Sequence, residues 1–279
     1  MVKTQKYTIL FSLLICASLH AQAQNWEGGI MIGGSNYHGD LAYNIVPNET
    51  HFTQGVHVRY NFTPYWSYRP SVVHAKISGS DANFEDFRLR NLSFESEIWE
   101  VNNVLEFNFL PFGSRILSKD FSSYATLGLT VFRHNPKAVF NDKTIALRDL
   151  RTEGQTSKQQ YGLLQLAIPF GGGVKYNINK NLVIGLEVAW RKTFTDYLDD
   201  VSTVYPDLQV QRDNYGDLSA NMSDRSYEVD GVGEPLSIAG DERGDPSMKD
   251  FYFISAFTVT YRLTPITCWP KHKRQIIWK

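Results

Sequence analysis

A period of two with one apolar side runs through Leu182 to Arg191. Ile184, Leu186, Val188 and Trp190 fall on one face; Val183, Gly185, Glu187, Ala189 and Arg191 fall on the other. That alternation is a β-strand signature. An apolar face ending in Trp, set against Glu187 and Arg191, fits the wall of a membrane barrel with lipid outside and a polar lumen. This constrains the fold severely. A bilayer leaves no water to satisfy an open sheet edge, so such strands must be numerous enough to close on themselves. Beyond the N-terminus no apolar run reaches the ~18 residues of a membrane-crossing helix. The formal net charge of −1 offers no bulk attraction to nucleic acid.

Residues 1–23 read as a secretory signal peptide. Lys3 and Lys6 make the charged region, Ile9 to Leu19 the apolar core, and Ala21-Gln22-Ala23 the cleavage site. Cys16 leaves with that segment, and Cys268 is then the one cysteine of the exported chain. It has no internal partner and is either a free thiol or half of an intermolecular disulfide.

The expected fold is all-β: an eight-stranded antiparallel transmembrane barrel of the outer-membrane type over residues 24–263. The strands are expected near Trp26–Ser35, Gly55–Phe62, Trp66–Ser78, Leu92–Phe109, Tyr124–Phe132, Leu163–Tyr176, Leu182–Arg191 and Phe251–Leu263. The third alternates least clearly. Connections after strands two, four and six are short, and those after one, three, five and seven are longer. Short turns belong on the periplasmic side and long loops outside. A soluble sandwich or lipocalin-like barrel is the rival architecture, because it gives the same alternation with the faces exchanged.

The expected lumen faces carry Arg59, Lys175 and Arg191 against Glu100, Glu106 and Glu187. Eight-stranded barrels are filled by their own side chains, and buried charges must pair. These six residues are therefore expected to plug the lumen rather than line a pore. No catalytic motif stands out. His38, Asp40 and Ser202 could be combined on the outer loops, but nothing in their spacing selects them. No cofactor is expected. Gly171-Gly172-Gly173 reads as a barrel bend.

The stretch from Thr193 to Asp250 carries fourteen acids against four bases, a balance of −10. A solvated acidic loop is the default expectation, with calcium binding at Asp196, Asp199 and Asp200 as a weaker one. Residues 264–279 form a basic tail on the periplasmic side. Cys268, Trp269, Lys271, Lys273 and Arg274 are its candidate partner-binding residues.

Four segments carry a family resemblance: Tyr37-His38-Gly39-Asp40-Leu41, Thr152-Glu153-Gly154-Gln155, Ile168 to Tyr176, and Arg191 to Ser202. Together they resemble the PorG (also SprT) family, outer-membrane components of the type IX secretion system. The resemblance implies a non-catalytic barrel that anchors a periplasmic ring of PorK and PorN to the outer membrane. A small outer-membrane pore and a barrel enzyme with its active site in the outer loops are the alternatives.

Overall fold

In a computed structural model, residues 26–112 and 119–263 are described. The expected signal peptide, 1–23, and the tail with Cys268, Trp269, Lys271, Lys273 and Arg274 lie outside the described residues. The wall is made of β1 (Trp26–His38), β2 (His51–Asn61), β3 (Trp66–Ser80), β4 (Ser93–Asn108) and β5 (Phe121–Arg133). A short hairpin, β6 (Lys137–Phe140) and β7 (Lys143–Ala146), interrupts it. The wall then resumes with β8 (Leu164–Asn177), β9 (Leu182–Thr193) and β10 (Phe251–Arg262).

Each wall strand pairs antiparallel with the next, and β10 returns to β1. The closing seam runs from Glu27↔Arg262 to His38↔Phe251. The result is a closed eight-stranded up-and-down barrel without a free edge, which is what the backbone requires in hydrocarbon. The β6–β7 hairpin touches the wall at Glu95↔Lys137. It falls within the long connection after the fifth expected strand, where no strand was expected.

Burial separates the membrane barrel from its soluble rival. Along β4 the inward residues Glu100 and Glu106 are 1% and 0% exposed, while the outward Trp99, Val101 and Leu105 are about half exposed. Leu129, Leu164, Leu166, Leu186 and Phe257 repeat the pattern around the wall. Charge inside and hydrocarbon outside invert the soluble arrangement. An apolar girdle of this extent is suited to lipid.

Aromatic rings mark both borders of the girdle. At the short-turn end Trp26 packs on Tyr60 and Trp66 on Phe107. At the long-loop end His74 lies on Trp99, and Phe170 and Trp190 stack. Trp99 and Phe107 are eight residues apart on one tilted strand, so the girdle is roughly 20 Å tall.

Glycine is needed where strands come closest. A Cβ on Gly33 would lie 1.9 Å from the Ser255 carbonyl oxygen across the closing seam. On Gly171 and Gly173 it would lie 2.2 Å from the Val188 and Leu186 carbonyls. The glycine run is thus a place of close strand approach, where sequence alone pointed to a barrel bend.

Candidate functional site

The barrel interior is stratified. Nearest the short turns lies a charged layer centred on Glu106. Its carboxylate meets Arg59 Nε at 2.9 Å, Arg69 Nε at 2.9 Å and Lys175 Nζ at 3.0 Å. Arg59 continues to Glu27 at 2.8 Å, and Glu27 to Arg262 at 2.8 Å. Arg69 continues to Glu187 at 2.7 Å, and Tyr124 donates its hydroxyl to the same carboxylate at 2.7 Å. Below this layer Phe112, 1% exposed, sits under Lys175 and Arg262 with its ring about 5–6 Å from both charges. The turn between β4 and β5 thus supplies an aromatic stopper.

A second charged layer lies toward the long loops. Arg191 Nη2 meets Glu100 at 2.9 Å, and Tyr252 donates to Glu100 at 2.7 Å. Asn102 donates to Glu100 and accepts from Thr130. The space between the two layers is ≈ 10 Å³, lined by residues that include Arg69, Asn102, Glu187 and Arg191. That is about one water molecule.

Arg59, Glu100, Glu106, Lys175, Glu187 and Arg191 are all buried in this interior and engaged in ion pairs. Sequence reasoning missed Glu27, Arg69, Tyr124, Tyr252 and Arg262. Arg262 alternates with Tyr261 and was open to the same argument. Arg69 precedes Pro70 in the strand whose pattern is weakest.

Above the second layer the interior turns apolar. Ala75, Ile77, Phe94, Ile98, Phe132 and Ile254 pack with Leu41, Leu198 and Val201 from the loops. The hydrophobic core therefore lies at the long-loop end, and a folded cap sits on it. The cap includes the β6–β7 hairpin and two short helices, α1 (Leu208–Tyr215) and α2 (Asp217–Ser223). Asp207 caps α1, accepting from the amides of Gln209 and Val210.

Within the cap the acidic stretch is solvated only in part: nine of its fourteen acids, Asp207 and Glu234 among them, stay at the surface, and five do not. Asp196, Asp199, Asp200, Asp224 and Asp250 are buried. Apart from one oxygen of Asp196, their carboxylates are taken up by backbone amides and hydroxyls, which is how buried carboxylates are retained. Asp200 accepts from Thr152 Oγ1 at 2.5 Å and from the Tyr161 hydroxyl at 2.6 Å. Its backbone is left-handed, with φ of 72°. Asp196 accepts from Ser202 Oγ at 2.7 Å and faces Lys249 Nζ at 3.5 Å. Asp199 accepts from the Val201 amide and Asp250 from the Leu198 amide, each at 2.9 Å.

Calcium binding by Asp196, Asp199 and Asp200 is not supported by this geometry. The three carboxylates turn to separate partners. Among the described residues no group of three or more His, Cys, Asp or Glu is arranged to hold a metal ion. Burial raises Asp200 to about 6, with Arg243 opposing the shift.

One buried cation organises the cap. Arg243 Nη1 pairs with Glu153 at 3.1 Å and donates to the Asp200 carbonyl at 2.6 Å; Nε donates to the Ser223 carbonyl at 3.2 Å. Glu153 also accepts from the amides of Ser202 and Thr203. Arg90 pairs with Asp81 at 2.6 Å and donates to the carbonyls of Asp40 and Arg243. Three segments distant in sequence, around Tyr37, Thr152 and Asp196, therefore meet in one hydrogen-bonded block. His38, Asp40 and Ser202 form no hydrogen-bonded chain there. His38 packs on Phe251, and Ser202 is committed to Asp196.

Residues 5–232 match the family described as a domain of unknown function, DUF6089, and the chain belongs to that family. No curated protein matches it. Among solved structures it is similar to Neisserial surface protein A, at 6% identity and a TM-score of 0.42, covering 85% of this chain and 96% of that one. It is also similar to Ail, the attachment invasion locus protein of Yersinia pestis, at 13% identity and a TM-score of 0.39, covering 85% and 98%. The N-terminal β-barrel domain of Pseudomonas aeruginosa OprF matches at 9% identity and a TM-score of 0.34, covering 84% and 96%.

Proposed function

We propose that this member of the DUF6089 family is a non-catalytic anchor in the bacterial outer membrane, serving a protein-secretion machine. The observation that carries this reading is the filled interior. Two ion-paired layers, an aromatic stopper and a folded cap occupy the whole height of the barrel. A barrel closed at both ends offers its membrane embedding and its two rims, not a conduit.

The finer reading is a component of the type IX secretion system that tethers a PorK/PorN-type periplasmic ring. It rests on the resemblance of four segments to the PorG family. Tyr37, Asp40, Thr152, Glu153, Asp196, Asp199, Asp200 and Ser202, drawn from three of those segments, belong to the cap block. Lys175, from the fourth, belongs to the lumen network. Those motifs thus serve the barrel's own architecture, and recruitment is assigned in this proposal to the periplasmic turns and the basic tail.

The test is removal of Pro265 to Lys279. The truncated barrel is expected to keep its heat-modifiable electrophoretic mobility, and ring proteins are expected to disappear from pull-downs of solubilised outer membrane. Ring association that survives the truncation refutes the role of the tail. Pull-downs from the full-length chain without ring proteins refute the anchor itself.

A further inference from the structure

The Tyr37 hydroxyl lies 2.7 Å from Asp199 Oδ2 and 2.7 Å from Asp250 Oδ1. A phenol has one proton to donate and can otherwise only accept. An ionised carboxylate only accepts. Both short contacts are satisfied together when one carboxyl carries a proton and donates it to the phenol oxygen. All three side chains are buried: Tyr37 is 2% exposed, and Asp199 and Asp250 1% each.

We propose that this triad is a proton-operated clasp: one proton shared among Tyr37, Asp199 and Asp250 holds the 194–250 segment on the barrel mouth, and its loss releases that segment. The clasp joins three places in the chain. Tyr37 stands on β1, Asp199 in the long loop, and Asp250 immediately before β10. The same carboxylates hold the amides of Val201 and Leu198, whose side chains enter the apolar core beneath the cap. Releasing the clasp therefore unseats the cap from that core.

Among the described residues no cation forms an ion pair with either carboxyl, although Arg243 lies near enough to pull on Asp199. Arg243 is spent on Glu153 and two carbonyls, and Arg90 on Asp81 and two carbonyls. Lys249 is half exposed and faces Asp196. From β4 Phe94 meets the Tyr37 ring in a T-shaped contact, and from β10 the inward neighbour Tyr252 is committed to Glu100. The other charged neighbours are acids. Asp40 and Asp196 each bury one oxygen without a hydrogen-bond partner. Further negative charge at this point is uncompensated, and a buried uncompensated charge is strongly unfavourable.

Burial raises the Asp199 carboxyl well above the ordinary range, and nearby Asp40 adds to the shift. Burial and Asp199 do the same for Asp250. Burial carries Asp40 itself to about 6, against the pull of the Asp245 amide. Acids raised in the closed state bind protons on closing. The stabilisation is thus present at low pH and falls away as pH climbs through these raised values.

The test uses the full chain in lipid nanodiscs, with hydrogen exchange of the Leu198 and Val201 amides corrected for its intrinsic pH dependence. Wild-type protection is expected to fall about tenfold for each pH unit above the raised values, since one proton is lost. Asp250→Asn supplies a permanent donor to Tyr37 while still accepting from Leu198, so its protection is expected to be flat with pH. Protection that is flat in wild type, or that keeps the wild-type pH dependence in Asp250→Asn, overturns the clasp. If that variant does not fold, Asp199→Asn serves the same purpose. Infrared spectroscopy of the wild type gives a second readout: a carboxylic-acid C=O band at neutral pH is expected, and its absence overturns the proposal. Calcium added at high pH is expected not to restore protection; restoration overturns the proton in favour of a metal.

Discussion

Glu106→Gln is the sharpest probe of the charged interior. Glu106 neutralises Arg59, Arg69 and Lys175 at once, so three independent pairs would carry a threefold penalty. The structure argues for much less. Arg59 keeps Glu27 at 2.8 Å, and Arg69 keeps Glu187 at 2.7 Å. Lys175 has no second carboxylate partner among the described residues; the Tyr124 and Phe112 rings are about 5 Å away. The substitution therefore strands one cation. A buried pair broken from one side costs about 3–5 kcal/mol, and that is the expected loss in unfolding free energy. Lys175→Met is expected to cost much less, about 1 kcal/mol, because Glu106 retains two arginines. The double variant should then be at least about 2 kcal/mol more stable than Glu106→Gln alone, a large positive coupling for neighbours. Urea titration in lipid vesicles, followed by tryptophan fluorescence, measures all three. Additivity of the two single variants, or an unchanged midpoint for Glu106→Gln, refutes the reasoning.

Arg243→Ala removes the cation that joins Glu153 to the cap carbonyls and should destabilise the cap by about 2–4 kcal/mol. Limited proteolysis is expected to cut within 194–250 while the wall keeps its heat-modifiable mobility. Gly33→Val puts side-chain carbon against the Ser255 carbonyl at the closing seam, and no folded form should appear on semi-native electrophoresis. The thiol of Cys268 lies outside the described residues. If it is paired with another chain, a mixed-disulfide band should appear without reductant and vanish in Cys268→Ser.

How legible the fold was depended on the range of the information. Period two is local, so the eight wall strands, and the faces of all but the third, could be read directly. The expected alternation of connections holds only in part, because 109–120 after β4 is as long as 39–50 after β1 and 81–92 after β3. Glu187 and Arg191 announced an interior position by alternation alone, but their partners could not be read. Glu187 binds Arg69 and Arg191 binds Glu100, each about a hundred residues away. The β6–β7 hairpin was missed because four-residue strands carry little periodicity. Its two turn residues, Asn141 and Asp142, both have positive φ, 48° and 60°. An Asn-Asp pair suits that tight turn and was the available signal. The buried acids of the cap were misread for a different reason. Composition counts charges but cannot tell which ones will find a hydroxyl, an amide or Arg243 in another segment.

The placement of Tyr37 and Asp250 on opposite sides of the β1–β10 seam also bears on the order of assembly. These residues are 213 positions apart in the chain, and the last wall strand must zip against the first before they can meet. The cap thus cannot form on a barrel that remains open. A completed cap is a built-in certificate of wall closure, displayed on the one end of the molecule where the long loops emerge. In unfolding the sequence should reverse. The lid is lost first, while the paired charges below it still hold the cylinder shut.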